Sequence, residues 1–437
     1  MANITNAVRG TMDVLPNNSY RWQYVEEIMR ETAKLYGYKE IRTPVFEHTE
    51  LFNRSVGDTT DVVQKEMYTF LDKGERSITL RPEGTAGTVR SLVENGLYND
   101  ALPLKAYYIT SCYRYEKPQA GRLREFHQFG IECFGASSPL ADSEVIALGV
   151  ALFEKLGVKN LQLEINSIGC PTCRAEYQKI LKAYFESNKT ELCATCLDRL
   201  ERNPMRILDC KSPVCKKIAA NAPEMLGYIC DECKTHFERV KAGLTSMNIH
   251  YTVNPKIVRG LDYYTKTVFE FVSTDIGAQG TVCGGGRYDG LTEELGGPSL
   301  PSLGFGMGIE RLLMVMEKQN CDFPQPTVAD VYIAPMGDEA GIEALALCEK
   351  LRAEGFCALT DLTGRSLKAQ MKYADKIGAK NSIVIGETEL TTGKAILRYM
   401  KTGEQKEIDF KFGLVSAVYD QNIASTLEGL ELSLGKI

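Results

Sequence analysis

Hydrophobic and polar positions follow two different periods along the first three quarters of the chain. Between residues 20 and 36, apolar side chains recur every three or four positions and Gly37 follows, which predicts an amphipathic helix. Stretches rich in aromatic and β-branched residues predict strands, namely LKAYYIT (104–110), FHQFGIECF (126–134), LQLEIN (161–166), TVFEFV (267–272) and SLGFGMG (302–308). Together these patterns predict an α+β fold in which helices pack against an antiparallel sheet.

Two further regions have patterns of their own. Residues 168–240 hold eight of the 14 cysteines among helix-forming segments, which indicates a helical, cysteine-rich insertion. After the linker-like run DFPQPTVAD near residue 325, strands and helices alternate as VYIAP, a helix over 339–354, CALTD, a helix over 365–377 and NSIVIG. This alternation predicts a C-terminal α/β domain with a largely parallel sheet.

Composition narrows the class of protein. A chain of 437 residues predicts two or three domains, and its 44% hydrophobic and 25% charged residues are typical of soluble globular proteins. Apolar runs stay below the roughly 18 residues of a membrane span, and the N-terminus lacks the regions of a secretory signal, which predicts a cytoplasmic protein. The net charge of −6 argues against coating nucleic acid through bulk charge, although it leaves local basic patches open.

The glycine-rich segments do not match known phosphate-binding loops. A Walker-type loop is absent from the sequence, and GFGMGIER and GGGRYDG differ from the dinucleotide fingerprint in spacing and setting. Arginine side chains would therefore have to bind any nucleotide phosphate, because a planar guanidinium matches phosphate oxygens.

Residues 107–134 predict a strand, a polar loop and a second strand. Because side chains alternate across a sheet, one face of the second strand is polar with a glycine gap, as formed by Gln128, Gly130 and Glu132. The opposite face is apolar, as formed by Phe129, Ile131 and Cys133. The loop region offers Arg114, Glu116, Arg122 and Arg124, and the arginines among them suit phosphate oxygens. Such a polar floor suits a small polar ligand; the alternative is a charged hairpin loop whose side chains pair in solvent.

SLGFGMGIERLLMVM (302–316) predicts a strand followed by a helix. Gly304, Gly306 and Gly308 share one face, and Arg311 lies in the first turn of the helix. Three glycines weaken a strand, so they indicate close approach by a ligand or by backbone. A nucleotide base on the glycine face, with Arg311 near its phosphates, explains both features; the alternative is tight packing of the helix on the sheet.

Eight cysteines form four closely spaced pairs, namely Cys170 with Cys173, Cys193 with Cys196, Cys210 with Cys215 and Cys230 with Cys233. Three CxxC pairs in a cytoplasmic chain favour tetrahedral thiolate sites, and eight thiolates suit two zinc ions. Sequential grouping, 170/173/193/196 and 210/215/230/233, is the simplest arrangement, and interleaving is equally allowed. A site closed by four thiolates is structural. The alternatives are reduced cysteines packed as small apolar residues, or an iron–sulfur cluster.

Several segments together resemble the class II aminoacyl-tRNA synthetases. Residues 107–134 and 302–316 are similar to motifs 2 and 3 of that class, and GYKEIRTPVFEHTELF (37–52), with Pro44, is similar to motif 1, the dimer-interface element. VRGLDYYTKTVFEF (258–271) and GTVCGGGRYDGL (280–291) resemble the two signature motifs of histidyl-tRNA synthetases, and ITLRPEGTAG (78–87) also resembles that family. The resemblance spans nearly the whole chain, with its motifs in the family order.

The resemblance implies a role for each matching residue. Histidine would be bound by its α-amino group at Glu83, Thr85 and Gln128, and by its imidazole at Glu132 and Tyr264, with Tyr263 beside them. Arg259 would be catalytic, placed beside the histidine carboxylate and the α-phosphate, with Arg114 gripping that phosphate from the other side. The remaining ATP contacts would be Glu116, Arg122, Gly304, Gly306 and Arg311, with Arg122 and Arg311 at the β/γ end.

The resemblance also implies partners and domain bounds. ATP with magnesium, histidine and histidine tRNA would be the ligands, and the protein would be a homodimer. The catalytic domain would span 1–325, with the insertion at 168–245 leaning over the tRNA acceptor stem, and an anticodon-binding domain would span 329–425. In that last domain Lys368, Lys372 and Lys376 recur on one predicted helix, as an RNA-facing or an ordinary solvated surface.

Three rival interpretations stay open at this point. A paralogue without aminoacylation activity, serving as a regulatory subunit of histidine biosynthesis, would usually lack the C-terminal domain and the RGLDYY motif, and both are present. A non-catalytic RNA-binding module on the same fold would be expected to lose the phosphate-binding arginines, which are also present. A zinc-ribbon interaction protein would explain the insertion alone.

Overall fold

The computed structural model describes residues 6–57, 60, 62–210, 212–259, 261–277, 280–326 and 329–421. The chain divides into two units, one on either side of the bond between Pro324 and Gln325. The predicted domain bounds also include residues 1–5 and 422–425, which lie outside the described residues.

The first unit combines helices with strands of two sheets. Its strands are β1 Lys39–Glu40, β2 Phe46–His48, β3 Tyr68–Leu71, β4 Ser77–Leu80, β5 Leu104–Tyr113, β6 Glu125–Phe134, β7 Gln162–Ser167, β8 Thr252–Val253, β9 Thr265–Val272, β10 Thr281–Arg287 and β11 Ser302–Gly308. Its helices are α1 Pro16–Leu35, α2 Thr49–Val56, α3 Thr85–Glu94, α4 Pro139–Lys155, α5 Pro171–Glu186, α6 Ala194–Arg202, α7 Pro213–Ala219, α8 Asp231–Ser246, α9 Leu291–Glu294 and α10 Ile309–Lys318.

Within the described residues, the central sheet has the strand order β1-β5-β6-β11-β10-β9-β7-β8. The strands from β5 to β7 in this order pair antiparallel, and only the edge strands β1 and β8 pair parallel with their neighbours. The antiparallel sheet that the strand patterns predict is therefore confirmed. A smaller sheet with the order β2-β4-β3 precedes α3 in the chain.

One face of the central sheet is the main hydrophobic core. On β6 the predicted apolar face is fully buried in that core at Phe129, Ile131 and Cys133. The apolar positions of β11, Leu303, Phe305 and Met307, join them, as do Val25 and Met29 of α1. Burying this face leaves the alternate positions of the same strands, including the glycines, on the opposite face.

The cysteine-rich insertion follows β7 and returns to β8 through α8. It comprises α5, α6, α7 and α8 with short 3-10 turns between them, among them Pro204–Ile207 and Met225–Gly227. Its own core contains Tyr177, Leu181, Phe185, Leu200 and Ile207, all of which are almost fully buried. This arrangement supports the prediction of a helical, cysteine-rich insertion, and the structure adds that the insertion has a packing core of its own.

The second unit is an α/β structure. Its strands are β12 Val331–Pro335, β13 Ala358–Thr360, β14 Asn381–Ile385, β15 Lys394–Tyr399 and β16 Gln405–Asp409, and its helices are α11 Asp338–Ala353, α12 Leu367–Lys376 and α13 Glu387–Thr392. The strand order is β13-β12-β14-β15-β16.

The predicted largely parallel sheet of this unit needs correction. Only β12, β13 and β14 pair in parallel, whereas β15 and β16 form an antiparallel hairpin that extends the sheet. The alternation of buried and exposed residues along β15 marks a strand with one solvated face, which an expectation of buried parallel strands misses. Among the described helices, not one has the length and apolar character to cross a membrane.

Candidate active site

A cleft of about 790 Å³ opens on the glycine-rich face of the central sheet. Its floor includes Gln128 on β6, Gly284 on β10 and Gly306 on β11. Its walls contain most of the residues predicted to bind ATP, together with the predicted catalytic arginine, namely Arg114, Glu116, Arg122, Arg311 and Arg259. Residues that lie up to about 200 positions apart in the chain therefore share one concave surface.

Three of the cleft arginines lie close enough to affect one another. Arg311, in the first turn of α10, donates from Nη1 to the carbonyl oxygen of Thr281 at 2.7 Å and from Nε to that of Gly121 at 3.2 Å. Burial, followed by repulsion from Arg122 and Arg114, lowers the pKa of Arg311 from its ordinary value. Like charges held together in this way favour binding of a polyanion, which relieves their repulsion.

The other two arginines are held by contacts of their own. Arg114 donates from Nε to the carbonyl oxygen of Pro82 at 2.8 Å, and its guanidinium lies 5.2 Å from the ring centre of Phe126. Arg122 forms an ion pair with the buried Glu116. Since these contacts fix both guanidinium groups before any ligand binds, the cleft is preorganised for an anion.

Arg259 lies at the inner end of the cleft, against the backbone of Gly284. It forms an ion pair with Glu270 of β9, and its guanidinium lies 5.4 Å from the ring centre of Tyr264. Burial works against its charge, but the Glu270 carboxylate more than compensates and holds the pKa of Arg259 above its ordinary value. Within the described part of the chain, Arg259 Nε is buried without a hydrogen-bond partner, which fits an anionic ligand.

A buried carboxylate, that of Glu132, lies on the glycine face of the sheet over Gly304. Glu132 of β6 is 1% exposed and accepts hydrogen bonds from the hydroxyls of Tyr108, at 3.1 Å, and Tyr288. Desolvation raises the pKa of Glu132 to about 8, although the Tyr288 and Thr85 hydroxyls favour its ionised form. Such a carboxyl can change protonation state near neutral pH and suits a titratable, hydrogen-bonding ligand such as an imidazole.

Aromatic rings close this end of the site. Tyr263 and Tyr264 follow Arg259 in the chain, and their ring centres lie 4.7 Å apart. Tyr263 also packs edge-on against Tyr288, at 5.5 Å between ring centres. The tyrosine rings and the Glu132 carboxylate therefore form one buried cluster, which Arg259 contacts through Tyr264.

The residues of the RPEGT segment join the same site through the start of α3. Glu83 is buried and its carboxylate accepts from the backbone N–H of Thr85 at 2.6 Å and of Ala86 at 2.8 Å. Burial raises the pKa of Glu83 in spite of these hydrogen bonds. Gln128 accepts from the Gly84 N–H at 3.0 Å, and Thr85 lies 3.5 Å from the Tyr108 hydroxyl. Glu83, Thr85, Gln128 and Glu132 are therefore connected through one hydrogen-bonded region.

Side chains of β6 occupy the space next to two glycines of β11. The space where a side chain of Gly304 would lie is filled by the Glu132 carboxylate, and the corresponding space of Gly306 is filled by the Gln128 amide. Gly304 pairs directly with Glu132 across the antiparallel strands. Gly306 lines the cleft and Gly304 does not, so the geometry assigns Gly304 to making room for Glu132.

Three residues of the site were not singled out by sequence reasoning. Tyr288 and Tyr108 donate to Glu132, and Glu270 pairs with Arg259. Tyr288 lies within GGGRYDG and Glu270 within TVFEFV, so both were inside quoted motifs. A lone carboxylate in an apolar strand was the available signal for Glu270, because an isolated charge in a sheet needs a partner.

The eight cysteines of the insertion form two groups, and their grouping corrects the sequential arrangement. Cys170, Cys173, Cys230 and Cys233 form an outer cluster, and Cys193, Cys196, Cys210 and Cys215 form an inner cluster. The sulfurs of each group lie within 4.8 Å of one another. The grouping is thus nested, with the first pair meeting the last and the two middle pairs meeting each other.

The topology explains the nesting. Because β8 pairs parallel with β7, α8 must run back antiparallel to both strands to deliver the chain to the start of β8. The N-terminus of α8, which carries Cys230 and Cys233, therefore lies near the end of β7, where Cys170 and Cys173 begin α5. The backbone N–H of Cys230 donates to the sulfur of Cys173 at 3.1 Å.

The geometry and the donor set fit a tetrahedral metal ion. Zinc–sulfur bonds of about 2.3 Å place the sulfurs of a tetrahedron roughly 3.8 Å apart, and the sulfurs of Cys193 and Cys210 are 3.8 Å apart. Each CxxC pair begins a helix, where the helix dipole favours thiolates. Burial opposes ionisation of Cys193, but hydrogen bonds, first from the Cys196 N–H, lower its pKa to about 7.

An antiparallel sheet with a cleft of fixed arginines, a glycine-rich strand leading into α10 and a separate α/β unit define a class II aminoacyl-tRNA synthetase. The family model described as histidyl-tRNA synthetase matches residues 10–312, and the anticodon binding domain matches residues 330–414. The chain belongs to the histidyl-tRNA synthetase family.

Named relatives agree over nearly the full length. The chain is 60% identical to the histidine–tRNA ligase of Acetivibrio thermocellus and 58% identical to that of Caldanaerobacter subterraneus; each alignment covers 93% of this chain and 97% of the relative. The crystal structure of apo S. aureus histidyl-tRNA synthetase superposes with a TM-score of 0.82 at 42% identity, covering 95% of this chain and 100% of that one.

Proposed function

We propose that this protein activates histidine with ATP and transfers it to the 3′ end of histidine tRNA. The observation that carries the proposal is the position of Arg259, which lines the arginine-rich cleft and lies against Tyr264, one of the tyrosines that would form a histidine pocket with Glu132. A histidine in that pocket and an ATP in that cleft would present the two reacting groups to one guanidinium.

The pocket has the groups that histidine requires. Glu132 on one side and the hydroxyl of Tyr264 on the other would bind the two imidazole nitrogens, with Tyr263 against the ring. The buried Glu83, with Thr85 and Gln128, would bind the α-amino group, because a carboxylate neutralises an ammonium and neutral acceptors orient it. A competing amino acid without ring nitrogens would leave these buried polar groups unpaired, which discriminates by roughly 10⁴.

The cleft has the groups that a folded ATP requires. Arg114 would contact the α-phosphate, Arg122 and Arg311 the β- and γ-phosphates, with Glu116 holding Arg122 in position. Magnesium takes oxygen ligands, and the Glu116 carboxylate at the cleft wall could hold such an ion, which would offset the charge of the phosphates.

Two displacements complete the reaction. A carboxylate oxygen of histidine bonds to the α-phosphorus while the bond to the leaving pyrophosphate breaks. Arg259 and Arg114 offset the repulsion between the carboxylate and the phosphate and stabilise the charge on the phosphoryl oxygens. A terminal ribose hydroxyl of the tRNA then attacks the carbonyl carbon and releases AMP, with its proton passing to a phosphate or ribose oxygen of the adenylate.

The remaining features follow from the same proposal. Zinc would occupy both cysteine clusters as a structural ion. Apolar side chains exposed around the β2-β4-β3 sheet, namely Val45, Phe46, Phe70 and Leu71, support a homodimer through the motif 1 region.

Lys368, Lys372 and Lys376 lie exposed on α12, which supports RNA contact by the unit after residue 329. The catalytic domain would span 1–325, its insertion 168–245 and the anticodon-binding domain 329–425, in a cytoplasmic enzyme.

Charging of a histidine tRNA transcript tests the proposal. We expect histidine-dependent ATP–pyrophosphate exchange without tRNA, and radiolabelled histidine on the transcript when tRNA is added. A transcript of another tRNA and a set of other amino acids are the controls. Absence of histidine-dependent exchange in metal-replete protein would contradict the proposal, and exchange without charging would favour the paralogue that lacks aminoacylation activity.

A further inference from the structure

The segment 257–264, which carries Arg259, Tyr263 and Tyr264, has no helix or strand among its described residues. A loop of this kind holds its shape only through contacts with its surroundings. Its Asp262 receives several of them. The Asp262 N–H donates to the Val56 carbonyl at 3.2 Å, and residues of the cysteine-rich insertion contact both its carboxylate and its backbone carbonyl.

The inner cysteine cluster contacts Asp262 through Arg206. Arg206 Nη2 lies 2.9 Å from Asp262 Oδ1, and the Arg206 side chain is only 12% exposed. Asn203 Nδ2 is 3.4 Å from the same oxygen. Both residues belong to the segment between Cys196 and Cys210, and both of these cysteines are ligands of the inner cluster.

The outer cysteine cluster contacts the same segment through Arg174. Arg174 directly follows Cys173 in α5, and its Nη1 donates to the carbonyl oxygens of Asp262, at 3.2 Å, and Tyr264, at 2.8 Å. Each cluster is therefore adjacent to one arginine that contacts the loop, one on the Asp262 carboxylate and the other on the loop backbone.

A metal ion would fix the positions of these arginines. The Cys210 N–H donates to the Ile207 carbonyl at 3.1 Å, so the inner cluster is one short turn away from Arg206. Coordination of both Cys196 and Cys210 closes the loop between them and restricts its conformations. Without the ion, the cluster would hold this segment only through weak hydrogen bonds of its sulfurs, such as that between Cys193 and Cys210.

We propose that the two cysteine clusters, when metal is bound, brace the segment 257–264 through Arg206 and Arg174, so that metal occupancy controls histidine affinity. Arg206 and Arg174 are positioning residues, since they act through the residues that contact substrate. The proposal rests on the proposed function for the identity of the ligand, histidine.

Substitution of Arg206 tests the brace without disturbing a cysteine. We expect Arg206→Met to raise the KM for histidine about ten-fold while the KM for ATP changes by less than about two-fold, because the brace acts on one side of the site. Arg206→Lys, which keeps the charge, should recover part of the loss. The matched control is Arg202→Met at the end of α6, because Arg202 is more than half exposed and pairs with the exposed Asp198 at 3.2 Å.

A double-mutant cycle identifies the contact itself. Asp262→Asn and Arg206→Met should each weaken histidine binding, and the double variant should bind no worse than the weaker single one, because both remove one ion pair. Additive losses would show that the two residues act independently, and this would overturn the brace.

Metal removal tests the other half of the proposal. Metal-free protein, prepared with a chelator, should bind histidine about ten-fold more weakly by calorimetry, and added Zn²⁺ should restore the affinity. Hydrogen exchange should rise in peptides covering 261–268 on metal removal and in Arg206→Met, while peptides of β6 stay protected. Unchanged affinity and exchange, or equal losses for histidine and ATP, would overturn the proposal. Metal content and hydrogen exchange do not require catalysis, so the brace is tested even if the native protein fails to charge tRNA.

Discussion

The catalytic cleft and the cysteine-rich insertion bring their chemical groups together in opposite ways. In the cleft, Gln128 and Arg259 come from segments more than 120 positions apart, and the register of the antiparallel sheet decides which side chains of the strands meet. In the insertion, sulfurs arrive in pairs at helix N-termini, and tertiary structure decides only which pairs meet. The cleft should therefore depend on correct folding of the sheet, whereas the insertion should depend on the metal ions proposed for its two cysteine clusters.

The largest expected effect separates these two dependences. Cys233→Ser removes a buried ligand of the outer cluster, and binding of a structural zinc ion contributes on the order of 10 kcal/mol. We expect bound metal to fall from two ions to one, and proteolysis within 168–245 to become roughly 100-fold faster, since the open form is more populated. Metal analysis and limited proteolysis measure both.

Cys357→Ser is the matched control, since Cys357 is exposed and belongs to neither cluster. Far-ultraviolet circular dichroism should show that the central sheet survives in both variants. Two ions bound to the Cys233→Ser protein, or cleavage spread evenly over the chain, would contradict the independence of the insertion.

The next effect lies in the cleft and leaves the insertion unchanged. Arg259→Ala removes the guanidinium between the two halves of the site, and loss of such a preorganised group costs about 10²–10³ in rate. We expect histidine-dependent ATP–pyrophosphate exchange to fall by that factor. The variant should still fold and bind metal as the native protein does, although the loss of the partner of Glu270 should lower its unfolding temperature. Exchange near the native rate would remove Arg259 from the catalytic role.

The buried carboxyl of Glu132 makes the stability of the cleft depend on pH. Its pKa rises from an ordinary 4.5 to about 8 in the folded protein, chiefly because of burial. A raised pKa means that folding favours the protonated form, so this contribution to stability is complete below about pH 4.5 and is lost as pH rises through 8.

Glu132→Gln removes the titration while keeping the shape of the side chain. The melting temperature of the variant relative to the native protein should therefore increase by a few degrees, in rough terms, between pH 5 and pH 8.5. Glu83 has a raised pKa of the same origin and is present in both proteins, so its contribution cancels in the difference. A difference that stays constant with pH would show that Glu132 is ionised throughout.

The sequence predicted which face of a strand each side chain occupies better than it predicted which residues of neighbouring strands meet. Alternation on β6 placed Gln128 and Glu132 on one face and Phe129 and Ile131 in the core, as the fold has them, because the strand period is fixed. Which side chain fills the space above Gly304 depends on strand register, and register involves residues distant in sequence.

For the cysteines too, the sequence identified the residues but not which pairs meet in the fold. Close spacing in pairs, with CxxC in three pairs and four residues between Cys210 and Cys215, identified all eight cysteines of the two clusters, because two thiols of one pair can reach one ion. The nested grouping was not determined, since it follows from the parallel pairing of β7 and β8 on either side of the insertion. The alternation of strands and helices likewise did not predict the antiparallel hairpin of β15 and β16.

The smallest expected effect sharpens the comparison at a residue that strand alternation alone did not identify. Tyr288 directly follows β10 and donates its hydroxyl to Glu132, and both side chains are about 1% exposed. Tyr288→Phe keeps the ring packing with Tyr263 and removes one hydrogen bond to a buried carboxyl, which costs about 1.5–3 kcal/mol when the acceptor is charged. We expect the KM for histidine to rise roughly ten-fold with metal content unchanged. Steady-state pyrophosphate exchange measures the rise. A variant with native KM would show that register brings Tyr288 to Glu132 for packing alone.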